Sequence, residues 1–152
     1  MESSEKRRRD KNKPTARMRK AVRKRQLMEH AKQLFVTLGY QHTTTEKIAQ
    51  AAGVSEPVLY RHFNSKKSLF IEVLDDIREA TIHRWETETA KIAEPMERLN
   101  AIVDFYLGSQ VEHARDFHIM HRSLVETDDP DIAGTLRTFY LDSEKMLTQV
   151  IR

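Results

Sequence analysis

Cysteine is absent from the 152 residues, and glycine and proline occur only four times each. Without cysteine there is no disulfide framework and no thiolate metal site, which fits a reducing compartment. Scarce glycine and proline leave few breakpoints, and abundant Ala, Leu, Glu, Lys and Arg favour helix throughout. A long apolar run is missing too. The longest uncharged stretch, Gln33–Thr45, is too short and too polar for a membrane span, which needs roughly 20 mostly apolar residues. The basic start leads into more charge rather than an apolar segment, so it does not have the pattern of a secretory signal. The expectation is a cytoplasmic, all-α protein with no membrane partner.

What is present is charge, and it is sorted along the chain. The net charge of +3 is small, but residues 1–25 hold 12 Lys and Arg against three acids, net +9. Residues 26–70 are +2 and residues 71–152 are −8. A chain basic at one end and acidic at the other is expected to meet a polyanion through its N-terminal part only. A solvated, disordered extension explains the run equally well, so the residues after it have to decide.

Residues 1–14 are almost devoid of apolar side chains, and residues 1–20 are read as a basic, disordered arm, with the helical pattern starting at about Thr15. Leu27, Ala31, Leu34, Phe35 and Leu38 then recur at helical spacing, and Gly39 stops that helix. Thr43-Thr44-Thr45-Glu46 reads as a capping box opening a short helix, Thr44 to Ala52, with Ile48, Ala49 and Ala52 inward. Gly53 ends it and Val54 fills the corner. Ser55 is placed to cap a second short helix running to about Phe63, and Pro57 sits in its first turn, where a missing N–H is harmless. Two short helices joined by a tight Gly-Val-Ser turn form a helix-turn-helix, here residues 44–63. A generic helical hairpin in a bundle has a similar pattern, and the neighbouring residues separate the two.

The combination Gly39-Tyr40, Thr43-Thr44, Ile48-Ala49, Ala52-Gly53-Val54-Ser55, Leu59-Tyr60-Arg61-His62-Phe63, Ser65-Lys66 and Leu69-Phe70 closely resembles the TetR family of bacterial transcriptional regulators. The resemblance covers about residues 21–81. It implies an all-α fold: an N-terminal three-helix DNA-binding domain (21–81) followed by a helical effector-binding and dimerisation domain (82–152). It implies a second helix of the motif that enters the major groove of double-stranded DNA. In similar proteins the positions matching Glu56, Pro57 and Tyr60 approach bases, and those matching Tyr60, His62 and Lys66 contact the backbone. Thr43, Thr44, Ser55, Val58 and Arg61 complete the expected DNA-binding set. Physically, Val58 or Pro57 suits a thymine methyl, and Glu56 suits a cytosine amino group or, alternatively, its own helix N-terminus. Thr43 and Thr44 suit a phosphate at a helix N-terminus or simple capping. Lys67 is read as solvated. From the arm, Arg17, Arg19, Lys20 and Arg23 are placed to track the phosphate backbone or enter a minor groove.

The acidic remainder reads as helices from Lys66 to about Ile92, with Leu69, Phe70, Val73, Leu74, Ile77, Ala80, Thr81 and Trp85 at core spacing, from Met96 to about Val111, from about Ala114 to Val125, and from Pro130 to Arg152, with Pro95 marking the end of the first. The resemblance implies a small-molecule effector enclosed by them, and Trp85, Met96, Phe105, Tyr106, Phe117, Met120 and Phe139 are the large side chains available to line a pocket; ordinary core packing accounts for the same residues. It also implies two further long helices that form a dimer interface, so the 152 residues read as truncated at the C-terminus. His113, Asp116, His118 and His121 are the one polar cluster that hints at chemistry. They lack a His-Glu-x-x-His spacing, and no Gly-x-Ser-x-Gly elbow or glycine-rich phosphate loop occurs, so no metal site, cofactor or catalytic residue is assigned and the chain is not read as an enzyme. The expected function is a ligand-responsive repressor that binds a palindromic operator as a homodimer on the bacterial nucleoid. The alternatives are a helical interaction module with a degenerate, non-binding head, and a histidine-based metal hydrolase.

Overall fold

Apolar residues at helical spacing bring the first helix, α1 (Ala16–His42), onto the rest of the chain through Leu27, Ala31 and Phe35, while its first two turns stay exposed. The computed structural model describes the backbone of residues 16–107 and 111–151, and side chains there except those of residues 106, 111–113 and 151. Of the stretch read as a disordered arm, residues 16–20 are helical and residues 1–15 lie outside the described part. Near its end α1 is broken by Gly39, whose φ of 79° and ψ of 169° belong to a backbone that side chains with a Cβ rarely adopt. Thr43 closes this break: its buried hydroxyl donates to the carbonyls of Gly39 (2.7 Å) and Leu34 (3.2 Å).

Two short helices follow, α2 (Thr45–Ala51) and α3 (Glu56–Tyr60). The N-cap of α2 is Thr44, which accepts from the Lys47 amide at 3.2 Å. Its third helical position is therefore Lys47, not Glu46, and the expected capping box does not form. At the other end Gly53, with φ 66°, permits a Schellman turn: its amide reaches the Gln50 carbonyl and the Val54 amide the Ala49 carbonyl. Ser55 is the N-cap residue of α3 but makes no side-chain capping bond. Pro57 occupies the first turn as expected, and α3 is shorter than the pattern predicts, its last turn closing through Phe63 N–H to the Leu59 carbonyl.

The long helix α4 (Lys66–Thr89) opens on a capping box that spacing alone did not single out, with Ser65 and Ser68 exchanging side-chain and backbone bonds at 3.0 Å. Then come α5 (Pro95–Leu107), α6 (Val111–Glu126) and α7 (Pro130–Ile151). Pro95 is the first residue of α5 rather than a terminator, because the first helical turn has no use for its missing N–H. Ala80, expected inside, is exposed, while Thr81 beside it is buried. All regular structure among the described residues is helical.

Helix α4 crosses from head to body. Its first half packs Leu69, Phe70, Val73, Leu74 and Ile77 against α1, Leu59 and Phe63, and the same cluster continues into Ile119, Met120, Ile132, Leu136 and Phe139 of α6 and α7. Burying each such side chain contributes about 1.5–3 kcal/mol. Its second half carries Trp85 into a smaller cluster with Ile102, Met146 and Val150. The head therefore has no core of its own separate from the body. No helix among the described residues is long and apolar enough to cross a membrane.

Candidate nucleic-acid interface

Leu59 and Phe63 anchor α3 inward, so its opposite side faces out: Ser55, Pro57, Tyr60 and Arg61 are exposed, and Glu56, Val58 and His62 are half-buried. Tyr60 keeps 47% of its surface accessible. Between α3 and the start of α4 lies an open depression of about 310 Å³, lined by Thr44, Thr45, Tyr60, Asn64, Ser65 and Lys66, with Thr43 at its base. The structure thus brings most of the expected set to one face. The exception is the Thr43 side chain, which is fully buried and spent on the carbonyls that end α1; its hydroxyl is not on the surface, a correction to the expected phosphate contact.

A residue not singled out from the sequence organises that face. Thr45, the first residue of α2, places its hydroxyl 3.1 Å from Glu56 Oε2 and 3.2 Å from the Tyr60 phenol. The signal was available in the Thr43-Thr44-Thr45 run, but a threonine triplet does not say which hydroxyl caps, which is buried and which reaches the next helix.

Positive charge gathers beside α3. The His62 imidazole is held below the ordinary histidine range by burial and then by Lys20, Lys24, Arg23 and Arg61. Lys20 and Arg23 of the expected arm therefore lie within electrostatic range of His62, just past the end of α3, whereas Arg17 and Arg19 are exposed on the first turns of α1. Lys24 is held in place from two sides, 2.5 Å from Glu72 and 5.3 Å from the centre of the Phe63 ring. Lys66 donates to the Tyr40 carbonyl at 2.9 Å and lies 4.2 Å from the centre of its ring, and burial lowers its ammonium from the usual range.

Head and body are tied by polar contacts as well as by the core. Lys67, expected to be solvated, pairs with Asp131 in the first turn of α7 at 2.7 Å and with Asp129 in the turn before it at 3.2 Å, and these bonds raise its pKa. From the end of α6, Glu126 pairs with Arg122 and accepts from the Tyr40 amide at 3.3 Å, while its carbonyl accepts from the Gln41 side chain. Lys32 of α1 meets Asp116 of α6 at 2.6 Å.

In the body, Trp85, Phe105, Phe117 and Phe139 form a continuous run of edge contacts with centroids 6.2–6.3 Å apart, and Met120 is buried beside them. Met96 is not part of it: it is 67% exposed, on the first turn of α5, which corrects its assignment to a pocket. The Tyr106 side chain lies outside the described residues. Of the polar cluster, Asp116 is engaged by Lys32, His121 meets the Tyr140 hydroxyl at 3.0 Å, His118 is exposed, and the His113 side chain is outside the described residues. No group of three or more metal-ligating side chains occurs among the described residues.

Fold and site together define a helix-turn-helix protein with a helical body built onto its fourth helix. Residues 27–73 match the family of "Bacterial regulatory proteins, tetR family". The chain is 32% identical over 114 residues to the nucleoid occlusion factor SlmA of Sodalis glossinidius, an alignment covering 75% of this chain and 58% of that protein. It is 36% identical over 98 residues to the HTH-type transcriptional regulator TcmR of Streptomyces glaucescens, covering 64% and 43%. Among solved structures, a protein described as a transcriptional regulator from Saccharomonospora viridis, in complex with choline, superposes with a TM-score of 0.80 at 25% identity, over 87% of this chain and 69% of that one. The match to the tetR family of bacterial regulatory proteins spans residues 27–73, and the chain covers little more than half the length of the SlmA relative.

Proposed function

We propose that this protein is a DNA-binding transcriptional regulator, a ligand-responsive repressor that works as a homodimer on a palindromic operator in the cytoplasm. The observation that carries the reading is the exposed face of α3, with Pro57, Tyr60 and Arg61 outward, flanked by Thr44 and by the cations Lys20 and Arg23. A short helix held out on a buried Leu59-Phe63 base, with basic groups on its flank, has the form needed to present side chains to major-groove edges while phosphates are gripped alongside. The body's −8 charge would be repelled by those phosphates, which favours the head as the contact.

Responsiveness is supported by the aromatic run and by Trp85, whose indole N–H is buried with no hydrogen-bond partner among the described residues. A donor left so has a use if a ligand supplies the acceptor. Arg84 over the Phe105 ring, 5.4 Å from its centroid, indicates that the run accepts a cation on an aromatic face. Lys67 with Asp129 and Asp131, and Glu126 with Tyr40, supply a route from α6 and α7 to the recognition face.

The test is enrichment of double-stranded DNA from a random library by the full chain, followed by fluorescence anisotropy on the enriched sequence and a solution mass. A two-fold symmetric motif bound by a dimer is expected. A folded dimer that enriches no sequence points to the interaction-module reading instead. Trp85 is the sole tryptophan, so titration with choline, and with apolar ligands in parallel, reads pocket occupancy through its emission.

A further inference from the structure

The hydrogen bonds between α2 and α3 run in one direction. A threonine hydroxyl has a single proton and a carboxylate only accepts, so the 3.1 Å contact commits the Thr45 proton to Glu56 Oε2. At the 3.2 Å contact with Tyr60 the Thr45 oxygen must then accept, and the phenol proton points inward at it. Tyr60 donates to Thr45 and Thr45 donates to Glu56, each bond polarising the next.

This order decides what the recognition face offers. Glu56 and Tyr60 are four residues apart on α3 and so share a face. With its proton turned inward, Tyr60 shows outward only the lone pairs of its oxygen. Glu56, anchored through Oε2, has Oε1 without a hydrogen bond among the described residues. The two make an edge of acceptors. In the major groove the donors are the exocyclic amino groups of cytosine and adenine, whereas guanine presents only acceptors there.

We propose that Thr45 is a positioning residue that holds Glu56 and Tyr60 as a paired acceptor edge, and that this edge selects a base bearing a major-groove amino group, cytosine N4 or adenine N6. The proposal rests on the DNA-binding reading above. Thr45 itself touches no base. Its part is to fix the direction of the phenol proton and the position of the carboxylate, which otherwise would be repelled by nearby phosphates.

The experiment is a cycle between protein and DNA, run on the sequence that the wild-type chain enriches from a random library. At each half-site position, cytosine is replaced by 2-pyrimidinone or adenine by purine, which removes the amino group alone. Removing it at one position is expected to weaken wild-type binding about fivefold to tenfold, the size of one base-edge hydrogen bond. The same removal leaves Thr45→Val binding within about twofold, because freeing the phenol proton has already dissolved the acceptor edge. Thr45→Ser, which keeps the hydroxyl, restores the wild-type sensitivity. Any weakening of the duplex by the analogue is common to all three proteins and cancels. Glu56→Gln supplies a second reading, since its amide turns donors outward and moves the enriched base at that position to guanine. Equal sensitivity of wild type and Thr45→Val at every position overturns the proposal while leaving DNA binding intact. Failure of the wild-type chain to enrich any sequence overturns the DNA-binding reading itself, and the proposal with it.

Discussion

Three consecutive threonines divide three tasks, and position relative to one glycine assigns them. Thr43 points back to close the end of α1, Thr44 caps α2, and Thr45 reaches across to α3. Thr43→Val keeps the shape but leaves the Gly39 and Leu34 carbonyls without their donor in a fully buried site. That is expected to cost about 1–3 kcal/mol in urea denaturation. Thr44→Ala removes one exposed cap bond and is expected to cost about 1 kcal/mol. If Thr44→Ala proves the more damaging, the assignment of the buried role to Thr43 is wrong. From the residues alone, Thr43 and Thr44 were equivalent candidates for a cap or a phosphate, and Thr45 was not singled out. What separates them is the ψ of 169° at Gly39, a backbone turn that redirects the chain and is not written in side-chain pattern. Lys67 misled for a related reason. Its partners Asp129 and Asp131 lie more than sixty residues on, and only the packing of α7 against α4 brings them near.

Helices were the most legible part, because each is stated twice, by apolar spacing and by its ends. α1, α4 and α7 fall close to where Leu27-Ala31-Phe35, Leu69-Phe70-Val73 and Ile132-Leu136-Phe139 place them. The turn at Gly53 was likewise readable, since a positive φ asks for glycine. Less legible were elements whose signal is ambiguous. Pro95 serves the start of a helix as well as the end of one, and Met96 next to it is placed on the exposed first turn. The two positive-φ glycines among the described residues allow an element-level test. A Cβ on Gly53 meets nothing within 4 Å, so Gly53→Ala carries only the backbone penalty, about 1–2 kcal/mol. At Gly39 a Cβ lies 2.7 Å from both Arg122 Nη2 and Glu126 Oε2. Gly39, at φ 79° and ψ 169°, lies in a region essentially reserved for glycine, so Gly39→Ala bears a larger backbone penalty and also displaces the clasp of α6 on α1. It is expected to lower the urea midpoint further than Gly53→Ala does, and Glu126→Ala should narrow that gap. A gap left unchanged by Glu126→Ala would mean that the clasp contributes nothing.

Over the whole molecule, the near-neutral net charge conceals a dipolar chain, and the recognition face sits where the positive end meets the fold. The first consequence concerns salt. Residues 1–15 hold six of the twelve cations found in the first 25 residues. Removing them is expected to weaken binding to every DNA sequence alike and to flatten the salt slope by about one unit for each phosphate they had neutralised. An unchanged slope would assign the gripping entirely to α1 and α3. The second consequence is a pair of opposed pH dependences at His62. Burial, then Lys20, Lys24, Arg23 and Arg61, lower its pKa in the folded chain. Between that lowered value and about 6.5, the ordinary histidine value, the unfolded chain binds the proton more readily. Folding stability from this group is therefore complete above about pH 6.5 and falls as the pH drops through the window. DNA phosphate beside the same cations reverses the sign: it neutralises the charges that oppose protonation, so binding takes up a proton and strengthens as the pH falls. Acidification from about pH 7.5 to about pH 5.5, a range that brackets the ordinary histidine value, is thus expected to lower the urea midpoint of the free protein and to tighten its DNA complex. His62→Gln removes the titration at this site and keeps a hydrogen-bonding side chain of similar reach. The difference between wild type and this variant isolates His62 from the six other histidines. Both slopes should flatten together in the variant; if the affinity slope survives unchanged, the proton is taken up elsewhere and His62 does not face the phosphates.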